Sequence, residues 1–205
     1  MKMKMKKILI TGGSGDLSQG LKLALESEFE VLSPSRQELD VTSIDSVKRY
    51  FSTHNFDIVI NCAGKLYSSL VTDSDPLQWI EDINVNLIGT YLVCKFALVS
   101  NRKTKIINIS STAAYANYKD WTSYCASKAG VMKLSLGLFD EGLDIIVMCP
   151  GAIDTKLRNG LSIPNNNVMD ITEGIAPILD AVNGQYKSGE IIFYRKGDLE
   201  VRQTY

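Results

Sequence analysis

The strongest constraint on this chain is a recurrence. Short, almost uninterrupted apolar runs, closed by glycine, proline or serine, alternate with stretches whose apolar residues return every three or four positions. A run without polar alternation is the pattern of a strand buried on both faces, and such strands belong to parallel sheets covered by helices. "KILIT" is the first run, and Leu17, Leu21, Ala24 and Leu25 follow at helical spacing. "EVLS", ended by Pro34, is a second run and "ELDV" a brief third, with no room for a helix between them. A helix from about Ser43 to Phe51 precedes the strand "DIVINCAG". A long helix through "VNLIGTYLVCKFALV", the strand "KIINISS", the helix "SYCASKAGVMKLSLGL" and the strand "DIIVMCPG" come next. "DITEGIAPILDAV" opens with a D-x-x-E capping signature, and "GEIIFYR" is the seventh strand.

This alternation predicts a single α/β domain over 1–205: a Rossmann-like, doubly wound, mainly parallel seven-stranded sheet with helices on both faces. A chain of 205 residues is long enough for such a core. The segment 158–170, "RNGLSIPNNNVMD", is a polar loop, either a substrate lid or a plain connector.

The net charge of −1 gives no reason to expect a nucleic-acid or acidic-membrane partner. The basic opening at 1–7 reads as a solvated lead-in, because only "ILI" follows before Thr11 and two glycines. No window looks apolar enough to span a bilayer: the best, 83–99, holds Asn84, Asn86 and Lys95. Cys62, Cys94, Cys125 and Cys149 form no C-x-x-C pair, which suggests reduced, mostly buried thiols and a cytoplasmic setting. The only histidine, His54, makes neither a zinc site with these cysteines nor a plausible Ser-His-Asp triad, so no metal is expected.

Two motifs carry chemistry. In "ITGGSGDLS" the glycines lie between a strand and a helix, where they permit a tight turn and bring backbone N–H groups to a pyrophosphate. Gly12 and Gly15 keep two places of a G-x-x-G-x-x-G spacing, and Ser18 takes the third. Asp16 would repel a pyrophosphate unless it points away or caps the helix. Alone, the turn is equally a plain strand-to-helix connection. In "TSYCASKAG", Tyr124 and Lys128 share one helix face. A phenol of pKa ~10 is a poor proton donor or acceptor at neutral pH, and a nearby ammonium lowers that value. The pair then serves proton transfer at an alcohol or carbonyl oxygen. By itself this spacing is common on helix surfaces.

Their company is more specific. "NCAG" closes the fourth strand, Asn86 follows in "VNLIGT", Ser111 ends "NISS" thirteen residues before Tyr124, and "CPGAIDT" ends the sixth strand. In this order, over nearly the whole chain, the sequence resembles the short-chain dehydrogenase/reductase family. The resemblance implies Tyr124 as general acid/base, with Lys128 binding the nicotinamide ribose and lowering the tyrosine pKa. It implies Ser111 orienting the substrate oxygen and Asn86 supporting a proton-relay water. Cofactor contacts carry over to Gly12, Ser14, Gly15, Asp16 and Leu17 at the turn, and to Asn61, Ala63 and Gly64 along the adenosine. Asp40 and Val41 fall at the adenine, and Pro150, Gly151, Ile153 and Thr155 at the nicotinamide.

"SPSR" after the second strand looks like the family's NADP-type ending. There Ser35 and Arg36 would hold a 2′-phosphate, because a guanidinium forks well onto phosphate oxygens. NADP(H) is therefore expected over NAD(H), although NAD(H) is possible and Arg36 is equally read as a solvated loop charge. The implied reaction interconverts a carbonyl and an alcohol on a small molecule. Tyr115, Tyr118 and Trp121 either wall that substrate's pocket or pack the surface. The segment after Thr155 is short for a classical member, so the site is expected to be open or closed by a partner subunit. A homodimer or homotetramer is expected through helices at about 86–100 and 123–138, where Leu92, Phe96, Leu134 and Leu138 fit either an interface or packing on the sheet. The competing reading is a non-catalytic dinucleotide sensor or scaffold on the same fold, favoured by Asp16 and Ser18 and opposed by the intact Asn-Ser-Tyr-Lys set.

Overall fold

The computed structural model describes residues 5–158, 161, 165 and 167–203. Parts of the basic lead-in and of the 158–170 loop thus lie outside the described residues. Seven strands form one sheet: β1 (Lys7–Ile10), β2 (Glu30–Leu32), β3 (Ile58–Asn61), β4 (Lys105–Ile109), β5 (Ile145–Pro150), β6 (Ile191–Arg195) and β7 (Asp198–Arg202). Their order is β2-β1-β3-β4-β5-β6-β7, and all pairs are parallel except β6–β7. Six α-helices accompany them: α1 (Asp16–Leu25), α2 (Ile44–Thr53), α3 (Pro76–Ile83), α4 (Gly89–Ser100), α5 (Thr122–Asp140) and α6 (Ile171–Val182).

Strand periodicity sorts the core into two layers. Ile8, Ile10, Ile60, Ile107 and Met148 point to one face, under Leu21 of α1 and Ile178 of α6. Leu9, Val59, Ile106 and Ile145 point to the other, under Val47 of α2 and Val93 of α4. Each isoleucine or leucine buried this way contributes about 1.5–3 kcal/mol. The strand order reverses between β1 and β3, so a crevice opens at their C-terminal ends.

Local signals explain the helix starts. Ser43 accepts the Ser46 N–H at 3.2 Å, and Asp75 accepts the Leu77 N–H at 2.9 Å ahead of Pro76. Asp170 and Glu173 form the reciprocal capping box that the D-x-x-E spacing predicts.

Four expectations need correction. "ELDV" is not a strand. The Asp40 carboxylate instead accepts from the Thr42 N–H (2.9 Å) and hydroxyl (2.7 Å), a local turn that competes with sheet pairing, while Leu39 and Val41 are buried beneath it. The seventh strand is β7, which turns back antiparallel on β6 through Lys196–Gly197. The long helix also starts earlier than expected. α3 and α4 are continuous through a π-helical turn, Asn84–Ile88, so the helix spans 25 residues from Pro76 to Ser100. Its most apolar window has a mean hydropathy of 1.4, so length and composition alone would let it cross a membrane, contrary to the sequence expectation. Here it packs on α2, α5 and β3. Leu92 is in the core, and Phe96 and Leu138 pack against it rather than forming an open apolar face.

Candidate active site

The glycine turn is held by the strand next to it. Thr11 Oγ1 accepts the Cys62 and Ala63 N–H groups, both at 3.1 Å, which locks the ends of β1 and β3 together. Gly12 has φ +71°, and a Cβ there would lie 2.8 Å from the Ala63 Cα. Only glycine takes that backbone and that contact at no cost. Ser18, in the third slot, is buried and donates to the Thr11 carbonyl at 3.1 Å, so the substitution ties helix to strand instead of prying them apart. The N-cap of α1 is Gly15, which has no side chain to cap the helix. The N–H groups of the first turn therefore receive no side-chain cap, and Gly15, Asp16 and Leu17 line the crevice there.

Asp16 does not aim its charge into that space alone. Its carboxylate accepts the Lys156 N–H at 2.6 Å, and the Lys156 ammonium lies 3.3 Å away. These contacts, the backbone bond first, hold the Asp16 carboxyl below the usual range against a smaller desolvation effect. The link joins α1 to the loop after β5 across the front of the crevice.

The crevice has two recesses that share Ser14, Gly15, Cys62 and Gly64. The smaller, about 350 Å³, is lined by Gly12, Arg36, Asp40, Val41 and Ala63. The larger, about 510 Å³, takes Asp16 and Leu17 from the turn, Ser111, Tyr124 and Lys128 from the middle, and Pro150, Gly151, Ile153 and Thr155 from the far side. At Gly64 a Cβ would stand 3.4 Å from Asn86 Oδ1 and 3.9 Å from Lys128 Nζ, so a side chain there would narrow the passage between them.

Tyr124 and Lys128 lie one turn apart on α5, both buried. The Lys128 ammonium donates to the Ile109 carbonyl at 2.8 Å and lies 5.6 Å from the Tyr124 ring centre. Burial lowers Lys128 to about 8 and raises Tyr124 to about 12. The expected depression of the phenol by the ammonium is therefore absent here. Desolvation dominates, the ammonium faces the ring and a carbonyl, and only the Ser111 hydrogen bond pulls the phenol down. Ser111 accepts the Ala113 N–H at 3.1 Å and faces the Pro150 carbonyl at 3.4 Å.

Three proposed site residues do not line either recess. Asn86 is fully buried in the π-helical turn, behind the wall. Its amide accepts the Lys65 N–H and donates to the Lys65 carbonyl, both at 2.8 Å, and donates to Ser127 Oγ at 3.0 Å. It clamps the strand-end loop to α5. Asn61 points the opposite way, into the core, donating to Asn108 Oδ1 at 2.8 Å, and Asn108 donates to Ser135 at 2.8 Å. The strand's two-residue period sends it to the Val59 side, whereas Ala63 and Gly64 lie past the end of β3 and reach the crevice. Ser35 is occupied by Glu38, which accepts its N–H (2.8 Å) and hydroxyl (2.9 Å). Arg36 does stand at the recess, 3.7 Å from Asp40 and 3.9 Å from Glu81.

Tyr118 and Trp121 line the larger recess, with ring centres 4.7 Å apart, while Tyr115 packs edge-on against Phe193 at 5.6 Å. Sequence reading missed Lys156, Arg195 and Asp82. Arg195 is the last residue of β6 and Lys156 lies in the loop after β5, so both stand at strand ends that border the crevice. Asp82 carried no signal: it is fully buried and accepts from Ser123 Oγ (2.7 Å) and the Tyr67 N–H (2.8 Å), anchoring the turn before Tyr124.

Comparison with known proteins places the chain in a family and a fold. Residues 24–165 match the family profile described as short chain dehydrogenase. An uncharacterized oxidoreductase of Staphylococcus aureus is 30% identical over 163 residues, covering 74% of this chain and 69% of that protein. Another from Schizosaccharomyces pombe is 30% identical over 189 residues, covering 79% and 76%. Among solved structures, a small-chain dehydrogenase in complex with NADPH superposes with a TM-score of 0.85 at 21% identity, covering 95% of this chain and 98% of that one. A short chain dehydrogenase from Burkholderia cenocepacia in complex with NADP gives 0.80 at 24% identity, covering 91% and 88%. At these identities the structural likeness is one of fold.

Proposed function

We propose that this chain, which belongs to the short-chain dehydrogenase family and is an oxidoreductase, interconverts a carbonyl and an alcohol with NADP(H) as its preferred cofactor. One observation carries the reading: a buried tyrosine with a serine hydroxyl and a lysine ammonium beside it, in a recess that continues past Gly64 into a second one at the glycine turn. The two joined recesses fit an elongated dinucleotide, and the uncapped first turn of α1 fits its pyrophosphate. Gly12, Ala63, Asp40 and Val41 would hold the adenosine half, and Pro150, Gly151, Ile153 and Thr155 the nicotinamide half. When bound, the nicotinamide supplies or accepts a hydride.

The chain's own residues do the rest. Ser111 Oγ–H donates to the carbonyl oxygen and fixes its position. Tyr124 donates its hydroxyl proton to that oxygen as negative charge develops on it, and in the reverse direction takes the alcohol proton. A phenol held at about 12 is a protonated donor at neutral pH, which suits reduction. Lys128 keeps a positive charge beside the phenolate that remains. Asn86 holds the loop carrying Gly64. Arg36 is the candidate reader of a 2′-phosphate, and the NADP-bound proteins of like fold support that preference. Asp40 and Glu81 beside it work against it, and Ser35 has no free donor to add.

The test is a fluorescence titration with NADPH and NADH, followed by a carbonyl panel with wild type and Tyr124→Phe. NADPH is expected to bind more tightly than NADH. Tyr124→Phe should lose about 10²–10⁴ in kcat and bind NADPH as wild type does. Full turnover by the variant would remove Tyr124 from the reaction. Binding of neither nucleotide would favour the scaffold reading.

A further inference from the structure

The larger recess holds positive charge that no carboxylate among the described residues balances. Among the described residues Asp16 is the only carboxylate lining it, and Asp16 is already paired with Lys156. Lys128, Arg158 and Arg195 face the same cavity, and none has an ion-pair partner among the described residues. Positions 159, 160, 162, 163, 164 and 166 hold no acidic residue that could supply one.

Arg195 is the most organised of the three. It ends β6, and its side-chain stem lies over Gly151, where a Cβ would come within 2.9 Å of Arg195 Cγ. Its guanidinium sits 5.1 Å from the Phe193 ring centre. Arg202 lies 3.9 Å from the same ring but is held by Glu200 at 2.8 Å. Phe193 thus orients two guanidinium groups, and only that of Arg195 lines the cavity and has no ion-pair partner among the described residues. An arginine fork held on an aromatic face is pre-set for carboxylate or phosphate oxygens.

Its place in the sheet separates it from the cofactor's phosphates. Four strand spacings lie between β1, which carries the glycine turn, and β6, about 19 Å at the usual separation. Two spacings, about 10 Å, separate β6 from β4, which carries Ser111. Arg195 therefore stands beyond the reacting centre, on the side away from the pyrophosphate cradle, in the cavity that Trp121 and Tyr118 also line.

We infer that the carbonyl compound this site takes carries an anionic group, a carboxylate or a phosphate, bound by Arg195 at the β6 end of the cavity while its carbonyl lies at Ser111 and Tyr124. This rests on the proposed carbonyl chemistry of that pair. Recognition at a solvent-facing arginine is worth the lower end of a charged hydrogen bond, about tenfold in kcat/KM.

The experiment uses two matched pairs that differ in charge: levulinate with methyl levulinate, and dihydroxyacetone phosphate with dihydroxyacetone. In the wild type at least one anion should exceed its neutral partner about tenfold in kcat/KM, and which pair shows it distinguishes carboxylate from phosphate. In Arg195→Gln that ratio should fall towards one, and in Arg195→Lys it should be intermediate. NADPH affinity, measured in the same variants, reports whether the fold is kept. Equal rates within both pairs, or a ratio that Arg195→Gln leaves unchanged, would overturn the inference. A parallel titration of tryptophan fluorescence with the same four compounds separates it from the chemistry. Anion-selective binding lost in Arg195→Gln, with no turnover of any compound, would retain the anion site and reject the carbonyl reading. No selective binding and no turnover would reject both.

Discussion

At the scale of the residue, the site depends on a charge that folding resists. Burial lowers the Lys128 ammonium from 10.5 to about 8. Between those values the unfolded chain binds more protons than the folded one at this position. The cost is therefore full below about pH 8 and is relieved as pH rises towards 10.5. Lys128→Met is expected to be more stable than wild type at pH 7 by about 1–3 kcal/mol, less whatever is lost by leaving the Ile109 carbonyl without its donor. The gap should narrow by pH 10. Urea unfolding at both pH values checks it, and a variant less stable than wild type at pH 7, or a gap that ignores pH, would contradict it. That Tyr124, Lys128 and Ser111 share one cavity was legible because they rest on spacing within one helix and at one strand end. The direction of the tyrosine shift was not, because it depends on how deeply the helix packs.

At the scale of the element, strand ends and helix starts decide what the crevice can hold. The Asp16–Lys156 link joins the start of α1 to the loop after β5, and Lys156 neutralises a carboxylate at the uncapped start of that helix, the proposed pyrophosphate site. Lys156→Ala should leave Asp16 uncompensated and weaken NADPH binding several-fold. Asp16→Asn should restore binding in the Lys156→Ala background. NADPH fluorescence titration of the single and double variants tests this, and strict additivity would rule out the coupling. Sequence reading posed the Asp16 problem but held no partner for it, since 140 positions separate the two residues. The same limit explains "ELDV": its alternation is that of a strand, yet Asp40 turns its carboxylate onto Thr42 and forms a local turn. Asn61 was misplaced because a motif names a position but not the face of the strand on which it falls.

At the scale of the whole molecule, the two-layered core also governs the thiols. All four cysteines are free, and burial raises Cys62 and Cys94 to about 12 and Cys149 to about 11. Half-buried Cys125 is raised as well. At pH 8 a disulfide reagent should label the native protein slowly, Cys125 first, and label all four thiols at once in denaturant. Rapid labelling of Cys94 or Cys149 without denaturant would show that the core opens far more readily than this packing implies. The doubly wound parallel architecture was legible in outline, because near-continuous apolar strands leave few other arrangements. The antiparallel β7 was not, since its exposed alternation of Leu199 and Val201 with charged residues is too short to stand out. The π-helical turn at Asn84–Ile88 was not foreseen either, and it acts on the whole molecule as a phase shift. One residue inserted into a helix rotates everything after it by about 100°. Upstream of the turn Asp82 meets α5, and downstream Leu92 and Val93 meet the sheet. Deleting a single residue there would keep the helix nearly as long and just as apolar, yet leave its two halves unable to satisfy both neighbours at once.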